Sequence, residues 1–542
     1  MHSARAQSAL RHFLVFALPS LATLGRFRNG FVFDDVFVIE RGKFIHDLAN
    51  LPGAFTAHAM IASSQEHAVG RPGMDTYRPI SIASFFWDAA LSGTQTWSYH
   101  LTNMMLHGLV CVLVLRLLDL LLPQVAPGVR LFLTCCFGLA PWLSEAHVFI
   151  NGRSDLCLAL FFLTALLAFR DALDRTSRTM GWLAAASLLA ALLSKEVAVV
   201  LLPFVLAFPA SGVPWRKRLA LGAPLCVALA AYLVLRFNAL DGLRSHNDAG
   251  QMLLALKQLP LLLADGVAHA LTPTPYFLRS LNDDYAHTST SIICLSAAAL
   301  LIVCVSLVVM SRRYYTFSWA VFLALTALAP CAMISTTLWP GFGRYLYVPA
   351  IGLCVAAGVG IGHFGQRIPI RRSVWTAAGV SLALASAALL VDATFAFESE
   401  RIMYARSISQ RPQQAWTHGF MGMSLRRAGL CDEAIPYLNR AATMAPADPR
   451  YSVHLGRCLV DIGAYQAAVG VAERGRERFR DTRAECGFLL VAVLAMPSAR
   501  AQEQEELLRR CLRLDTGRSD CAELLQRVQA FRTGAPALPG GP

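Results

Sequence analysis

Asp34 and Asp35 stand side by side in Phe31-Val32-Phe33-Asp34-Asp35-Val36, just past the first apolar segment of the chain. An ionised side chain near hydrocarbon costs about 2.5–3.5 kcal/mol or more, so a pair of carboxylates at that border calls for a partner or a task. The chemistry open to such a pair is proton transfer. A partly desolvated carboxyl beside another is less acidic than usual and so becomes a more useful base near neutral pH. The plainer use of Asp at such a place is a helix cap or a solvated turn.

Other charged residues recur in separate loops: Arg78, Arg153 with Asp155, Lys195 with Glu196, and Arg344. Any one of the cations reads as an interfacial anchor, and Lys195 and Glu196 can neutralise each other. Gathered on one face with the Asp pair, they are anion partners suited to a phosphate. A second polar signal runs into an apolar helix, where His100, Asn103 and His107 share one stripe. Such a stripe serves interhelical packing as readily as chemistry. Glu145 is a further acid in an apolar stretch. The loops contain no dense set of metal-ligand residues, so no metal is required, although Asp34, Asp35 and Glu145 together would make an acceptable oxygen set.

The elements that must position these residues follow from composition. The chain has 542 residues, 55% hydrophobic and 15% charged, which is too apolar for one soluble domain and reads as a polytopic membrane protein. Excess Lys and Arg, a formal charge of +13, belongs in such a protein to cytoplasmic loops and implies no nucleic-acid partner. About eleven spans are expected. They are Leu10 to Leu24, His100 to Leu122, Leu131 to Phe149, Leu156 to Phe169, Gly181 to Leu193, Val197 to Phe208, Leu219 to Leu235, Ile292 to Met310, Phe317 to Ile334, Tyr345 to Ile361 and Val374 to Val391. Met252 to Leu271, interrupted by Lys257, Pro260 and Asp265, reads as an interfacial or re-entrant helix.

With a cytoplasmic N-terminus, alternate loops are basic: Arg170, Arg175 and Arg178; Arg216, Lys217 and Arg218; Arg312 and Arg313; Arg367, Arg371 and Arg372. The opposite face then collects the loop from Gly25 to Tyr99 with the Asp pair, the Asn151-to-Asp155 turn, Lys195-Glu196 and the Trp339-to-Tyr345 stretch. An odd number of spans puts the C-terminal tail on that face too.

Three segments result: a membrane core over 1–397, a soluble domain over 398–532, and a Gly/Pro-rich, disordered tail over 533–542. The soluble part repeats itself: Gly422 recurs as Gly456, Gly429 as Gly463, Ala434 as Ala468 and Leu425 as Leu459, each 34 residues on. That is the tetratricopeptide period, with small residues where paired helices touch. A degenerate third copy starts near Arg483, with Pro497 where the inter-helix Gly belongs. Of the 14 cysteines, Cys431, Cys458, Cys486, Cys511 and Cys521 lie in this region, where a bridge such as Cys511 to Cys521 is conceivable.

Taken together, the chain resembles the polytopic glycosyltransferases of the GT-C class, and among them the transmembrane O-mannosyltransferases that carry tetratricopeptide repeats, as a bacterial relative. The resemblance rests on Phe31-Val32-Phe33-Asp34-Asp35, Tyr77-Arg78-Pro79-Ile80, Tyr99-His100-Leu101-Thr102-Asn103 through His107, Glu145 with Ile150-Asn151-Gly152-Arg153-Ser154-Asp155, Leu193-Ser194-Lys195-Glu196, and Arg344-Tyr345-Leu346-Tyr347-Val348-Pro349. It implies an all-α fold, a bundle of spans followed by an α-solenoid. It also implies inverting transfer of a sugar, mannose or another hexose, from a polyprenyl-phosphate donor to a hydroxyl, with an acidic pair in the first external loop as the catalytic centre.

In those terms Asp34 and Asp35 are catalytic. Arg78, Arg153, Asp155, Lys195, Glu196 and Arg344 bind donor phosphate or sugar, and His100, Asn103, His107 and Glu145 support them. The lipid-linked sugar is a substrate, no cofactor is required, and the repeats offer a groove for an acceptor protein or another partner. Two departures fall near the donor pocket: relatives often carry His where this chain has Ala140, and Glu where it has Gly343. The chain has no Asn-x-Ser/Thr sequon, which favours a bacterial inner membrane, with site and repeats periplasmic, over the endoplasmic reticulum. Two other classes stay open, a lipid or polysaccharide-precursor transporter and a non-catalytic scaffold.

Overall fold

The computed structural model describes residues 2–59, 76–240, 249–271, 288–331, 343–364 and 372–533. The Trp339-to-Phe342 stretch, Arg367, Arg371 and the tail from 534 lie outside them. Among the described residues the chain is helical, with no β-strand. It divides into two compact units, Met1–Ser399 and Glu400–Pro542.

The first unit runs through α1 (His2–Ala22), α2 (Pro79–Ser92), α3 (Trp97–Leu121), α4 (Pro127–Gly138), α5 (Arg153–Arg175), α6 (Arg178–Ser194), α7 (Ala198–Leu206), α8 (Trp215–Ala239), α9 (Ala249–Leu271), α10 (Thr290–Ser311), α11 (Tyr315–Leu328), α12 (Tyr347–Phe364) and α13 (Arg372–Phe395). Among the described residues seven stretches in it are long and apolar enough to cross a membrane, and three shorter apolar helices, α4, α6 and α11, stand among them. The protein is a multi-pass membrane protein. Most of the apolar stretch Ile150–Arg175, which contains α5, is buried inside the bundle, whereas α10, with mean hydropathy 3.0, is almost wholly exposed and turns its surface to lipid.

Two expected spans and one expected interfacial helix are corrected by this architecture. Leu131 to Phe149 does not form one helix, because α4 stops at Gly138 and the chain continues through short turns to Gly152. Irregular backbone at membrane depth is tolerated only inside protein. Here Leu143, His147 and Val148 are fully buried. Val197 to Phe208 is represented by the nine residues of α7, about 14 Å at 1.5 Å per residue and too short to cross alone. Met252 to His269, expected to be interfacial, belongs to a continuous helix that is long and apolar enough to span. Pro260 lies within its 23 residues without ending it.

Glycine makes the broken segment possible. A Cβ on Gly152 would lie 2.5 Å from the Ala146 carbonyl oxygen and 2.6 Å from that of Glu145, so only Gly lets these two turns press together. They carry Glu145 and Asn151 respectively.

The second unit holds paired helices: α14 (Glu400–Gln410), then α15 (Ala415–Arg427) with α16 (Cys431–Met444), α17 (Pro449–Asp461) with α18 (Tyr465–Arg478), α19 (Glu485–Ala495) with α20 (Ala501–Leu514), and α21 (Ser519–Thr533). It is a tetratricopeptide α-solenoid. Gly429 and Gly463 take φ of 77° and 79° in the turns inside the first two pairs, a left-handed conformation that costs glycine little. The third pair has no such glycine and turns through Pro497 into a short 3₁₀ helix. The disulfide joins Cys486 of α19 to Cys511 of α20, not Cys511 to Cys521. Cys521 is a free, buried thiol whose Sγ lies 3.7 Å from that of Cys486.

Candidate active site

The Asp pair sits on an unusual piece of backbone. Phe33 has φ of 53°, a left-handed conformation rarely adopted by a large side chain and concentrated at functional sites. The chain then makes one helical turn and passes into a π-helical turn over Val36–Glu40. Val36, Val38 and Ile39 are buried and anchor it, while Phe31 meets Tyr99 edge-on at 5.7 Å. The two carboxylates therefore leave the turn in different surroundings. Asp35 is 1% exposed, its Oδ1 accepts the Asn151 backbone N–H at 2.9 Å, and its buried Oδ2 has no hydrogen-bond partner among the described residues. Asp34 is half-buried, and its Oδ2 receives the Asn151 side-chain amide at 3.4 Å.

Burial raises the pKa of both. For Asp34 it is the largest influence, opposed by Arg344, the Asn151 amide and Arg78. Asp35 is pushed well above the ordinary carboxylate range by burial and then by the charge of Asp34.

Around this pair gather most of the residues expected from the sequence, each already partnered. Lys195, at the end of α6, bonds Asp155 on the first turn of α5 at 2.5 Å and stands 4.7 Å over the Tyr345 ring. Arg78 bonds Glu196 through Nε at 3.0 Å, and Glu196 also accepts the Tyr77 backbone N–H. Burial lowers the Lys195 pKa, and burial alone would raise that of Glu196, but Arg78 holds it below its usual value. Arg344 pairs with Glu145 at 3.5 Å and lies 5.8 Å over the Phe149 ring.

Gly343, which reads as a gap in the sequence, is closely filled. A Cβ there would be 2.6 Å from the Trp142 carbonyl oxygen and 3.3 Å from Glu145 Oε2. Glu145 thus stands where a side chain at 343 would point. Beside this segment an apolar cavity is lined by Trp142, Leu263, Gly266, Leu328, Leu346 and Pro349.

Arg153 differs from its expected role. Its side chain is fully buried, pairs with Asp88 at 2.5 Å, donates to Asn103 Oδ1 at 2.7 Å and to the Tyr99 carbonyl at 2.9 Å, and stacks 4.5 Å over Phe85. A guanidinium so occupied is not free to receive a phosphate; it fastens α2, α3 and α5 together. Asn103 continues the brace by donating to the Phe149 and Ile150 carbonyls at 3.1 and 3.0 Å, which fixes the turn that presents Asn151. His107 lies 2.6 Å from the Tyr347 hydroxyl and stacks on His147 at 4.0 Å. His100 Nε2 is 3.3 Å from the Asn29 carbonyl. These three polar residues of α3 are structural ties. Asp88 was missed from the sequence, though a lone acid in an apolar helix was the available signal.

Among the described residues the only three metal-ligand-type atoms that converge are the sulfurs of Cys486, Cys511 and Cys521, and the first two are joined in the disulfide. The carboxylate of Glu145 is engaged by Arg344.

A polytopic helical bundle with a buried acidic pair beside cations, followed by a tetratricopeptide solenoid, defines the class. No family model matches the chain. It is 22% identical over 476 residues to protein O-mannosyl-transferase TMTC3 of Mus musculus, covering 79% of this chain and 50% of that protein. It is 36% identical over 133 residues to TMTC2 of Mus musculus, covering 23% and 16%, and 26% identical over 226 residues to Tmtc3 of Drosophila melanogaster, covering 36% and 24%. The chain spans about half the length of such relatives, or less. It resembles the transmembrane protein O-mannosyltransferases in sequence and in this combination of parts.

Proposed function

We propose that the protein is a membrane glycosyltransferase that moves a sugar, mannose or another hexose, from a polyprenyl-phosphate donor to a Ser or Thr hydroxyl of a protein, with inversion at the anomeric carbon. The observation that carries this reading is Asp34, a half-buried carboxylate that receives the Asn151 side-chain amide at 3.4 Å and feels the charges of Arg344 and Arg78. The acceptor oxygen bonds the anomeric carbon as the bond from that carbon to the phosphate oxygen breaks. The hydroxyl proton passes to Asp34, and the lipid phosphate leaves as the anion. One displacement on the face opposite the phosphate inverts the centre.

Arg78 and Arg344 meet the departing charge. Among the described residues Arg78 hydrogen-bonds Glu196 through Nε, which would leave its outer nitrogens for phosphate oxygens. Lys195 adds positive charge behind the Tyr345 ring. The apolar cavity beside Arg344 suits the first isoprene units of the donor. With the chain's own cations at the phosphate, the step uses no metal or cofactor. The repeats would receive the acceptor protein, and site and repeats would share the non-cytoplasmic face, the periplasm of a bacterial inner membrane.

Glycopeptide mass spectrometry of cells producing the wild type or Asp34→Asn tests this. Hexosylated Ser/Thr peptides should be present with the first and absent with the second, both proteins being inserted at equal level. An identical set in the two strains refutes the function.

A further inference from the structure

Asn151 touches both carboxylates with two different donors, its backbone N–H on Asp35 at 2.9 Å and its side-chain amide on Asp34 at 3.4 Å. We infer that Asn151 is a positioning residue that divides the pair, tying Asp35 down as the carboxyl that keeps its proton and holding the half-buried Asp34 as the one that accepts a proton. The assignment of a base rests on the function proposed above; the division of protons does not.

The two carboxyls have unequal surroundings. Asp35 has one oxygen satisfied by a backbone N–H and one buried oxygen with no partner among the described residues. An ionised carboxylate in that setting leaves a buried charge half-solvated, whereas the protonated form puts a neutral hydroxyl there at far lower cost. Arg153 is the cation that acts on Asp35, and it is already paired with Asp88. Asp34 is acted on by Arg344 from the turn before α12 and by Arg78 from the entry to α2, and its acidic neighbour Asp35, protonated, adds no charge against it. Both cations and the Asn151 amide favour its ionised form.

Asn151 is itself fixed from behind. Asn103 holds the two preceding carbonyls, and Gly152 lets the turn close on Glu145 and Ala146. A side chain of another kind at 151 would leave Asp35 its backbone donor but remove the one that orients Asp34. The sequence marks Asn151 only as a neighbour of Arg153. The fold makes it the hinge of the pair.

Infrared titration of the full-length protein in lipid nanodiscs reads the protons directly, with Asp34→Asn and Asp35→Asn to assign the carboxyl bands. The wild type should show one protonated carboxyl band persisting at neutral pH, lost in Asp35→Asn, and a second titrating at lower pH, lost in Asp34→Asn. In Asn151→Ala the second band should move up by about one pH unit, since a donor to the ionised form is gone, while the first stays. Asn151→Leu, close in shape and likewise without a side-chain donor, serves if the Ala variant does not insert. Bands unmoved in either variant, or a neutral-pH band that belongs to Asp34, overturn the inference. Transfer from polyprenyl-phosphate mannose to a Ser/Thr peptide is measured on the same samples. An inactive wild type whose bands still shift refutes the proposed function and leaves the division of protons standing.

Discussion

Replacing Arg153 with Met tests whether this cation binds substrate or braces the bundle. The side chain has no solvent exposure, and its partner Asp88 has 5%. Removing the guanidinium leaves Asp88 charged and buried with Thr102 as its remaining side-chain donor, and strips a donor from Asn103 Oδ1 and from the Tyr99 carbonyl. Breaking one side of a buried pair costs about 3–5 kcal/mol. At about 2 °C per kcal/mol for a large domain, Arg153→Met should lower the midpoint of thermal unfolding in detergent by about 6–10 °C. Asp88→Leu should cost a similar amount. The double variant should recover at least half of the sum, because an apolar pair of similar volume replaces a desolvated ionic one at little net cost. Intrinsic fluorescence during heating supplies the midpoints, and size-exclusion profiles establish that each variant is inserted. If Arg153→Met unfolds within about 1 °C of wild type and loses only sugar transfer, the brace is wrong and Arg153 is a substrate ligand after all.

Gly343→Ala should disrupt both fold and activity. The new Cβ meets the Trp142 backbone oxygen at 2.6 Å, so the segment bearing Arg344 must move, at about 1–3 kcal/mol, and thermal midpoint and transfer rate should fall together. With Asp34 as the base, transfer should need its ionised form. Activity should therefore be full at neutral pH and fall as pH drops through a pKa above the ordinary carboxylate value, with no such limb in a residual Asp34→Asn rate. Arg78→Lys should keep the pairing charge at Glu196 but lose the fork, raising KM for the lipid donor about tenfold while the midpoint shifts by no more than about 2 °C. Non-reducing digestion should recover a Cys486–Cys511 peptide pair with Cys521 alkylatable only after unfolding; a Cys511–Cys521 pair would contradict the packing of α19 on α20.

Much was legible in the sequence because membranes and repeats leave periodic signatures. Apolar runs long enough to span, and small residues recurring at a fixed interval, reflect solvent and packing rules that act locally. Where a run was broken, the rule failed. Leu131 to Phe149 reads as one span because hydropathy registers apolarity, not the Gly152 contact that needs a turn between α4 and α5.

The residue types at the site, Asp34 with Asp35, Arg78, Lys195 and Arg344, were determined by sequence alone, since charge in an apolar chain is conspicuous wherever it falls. Which charge meets which was decided by tertiary structure. Arg153 and Arg344 look alike in sequence, but one turns inward to Asp88 and the other lies beside Glu145 within reach of Asp34. Asp34 and Asp35 are adjacent and chemically identical. Only the fold, which brings the turn carrying Asn151 in across more than a hundred residues, leaves one buried and the other half-exposed, each on a different donor of Asn151.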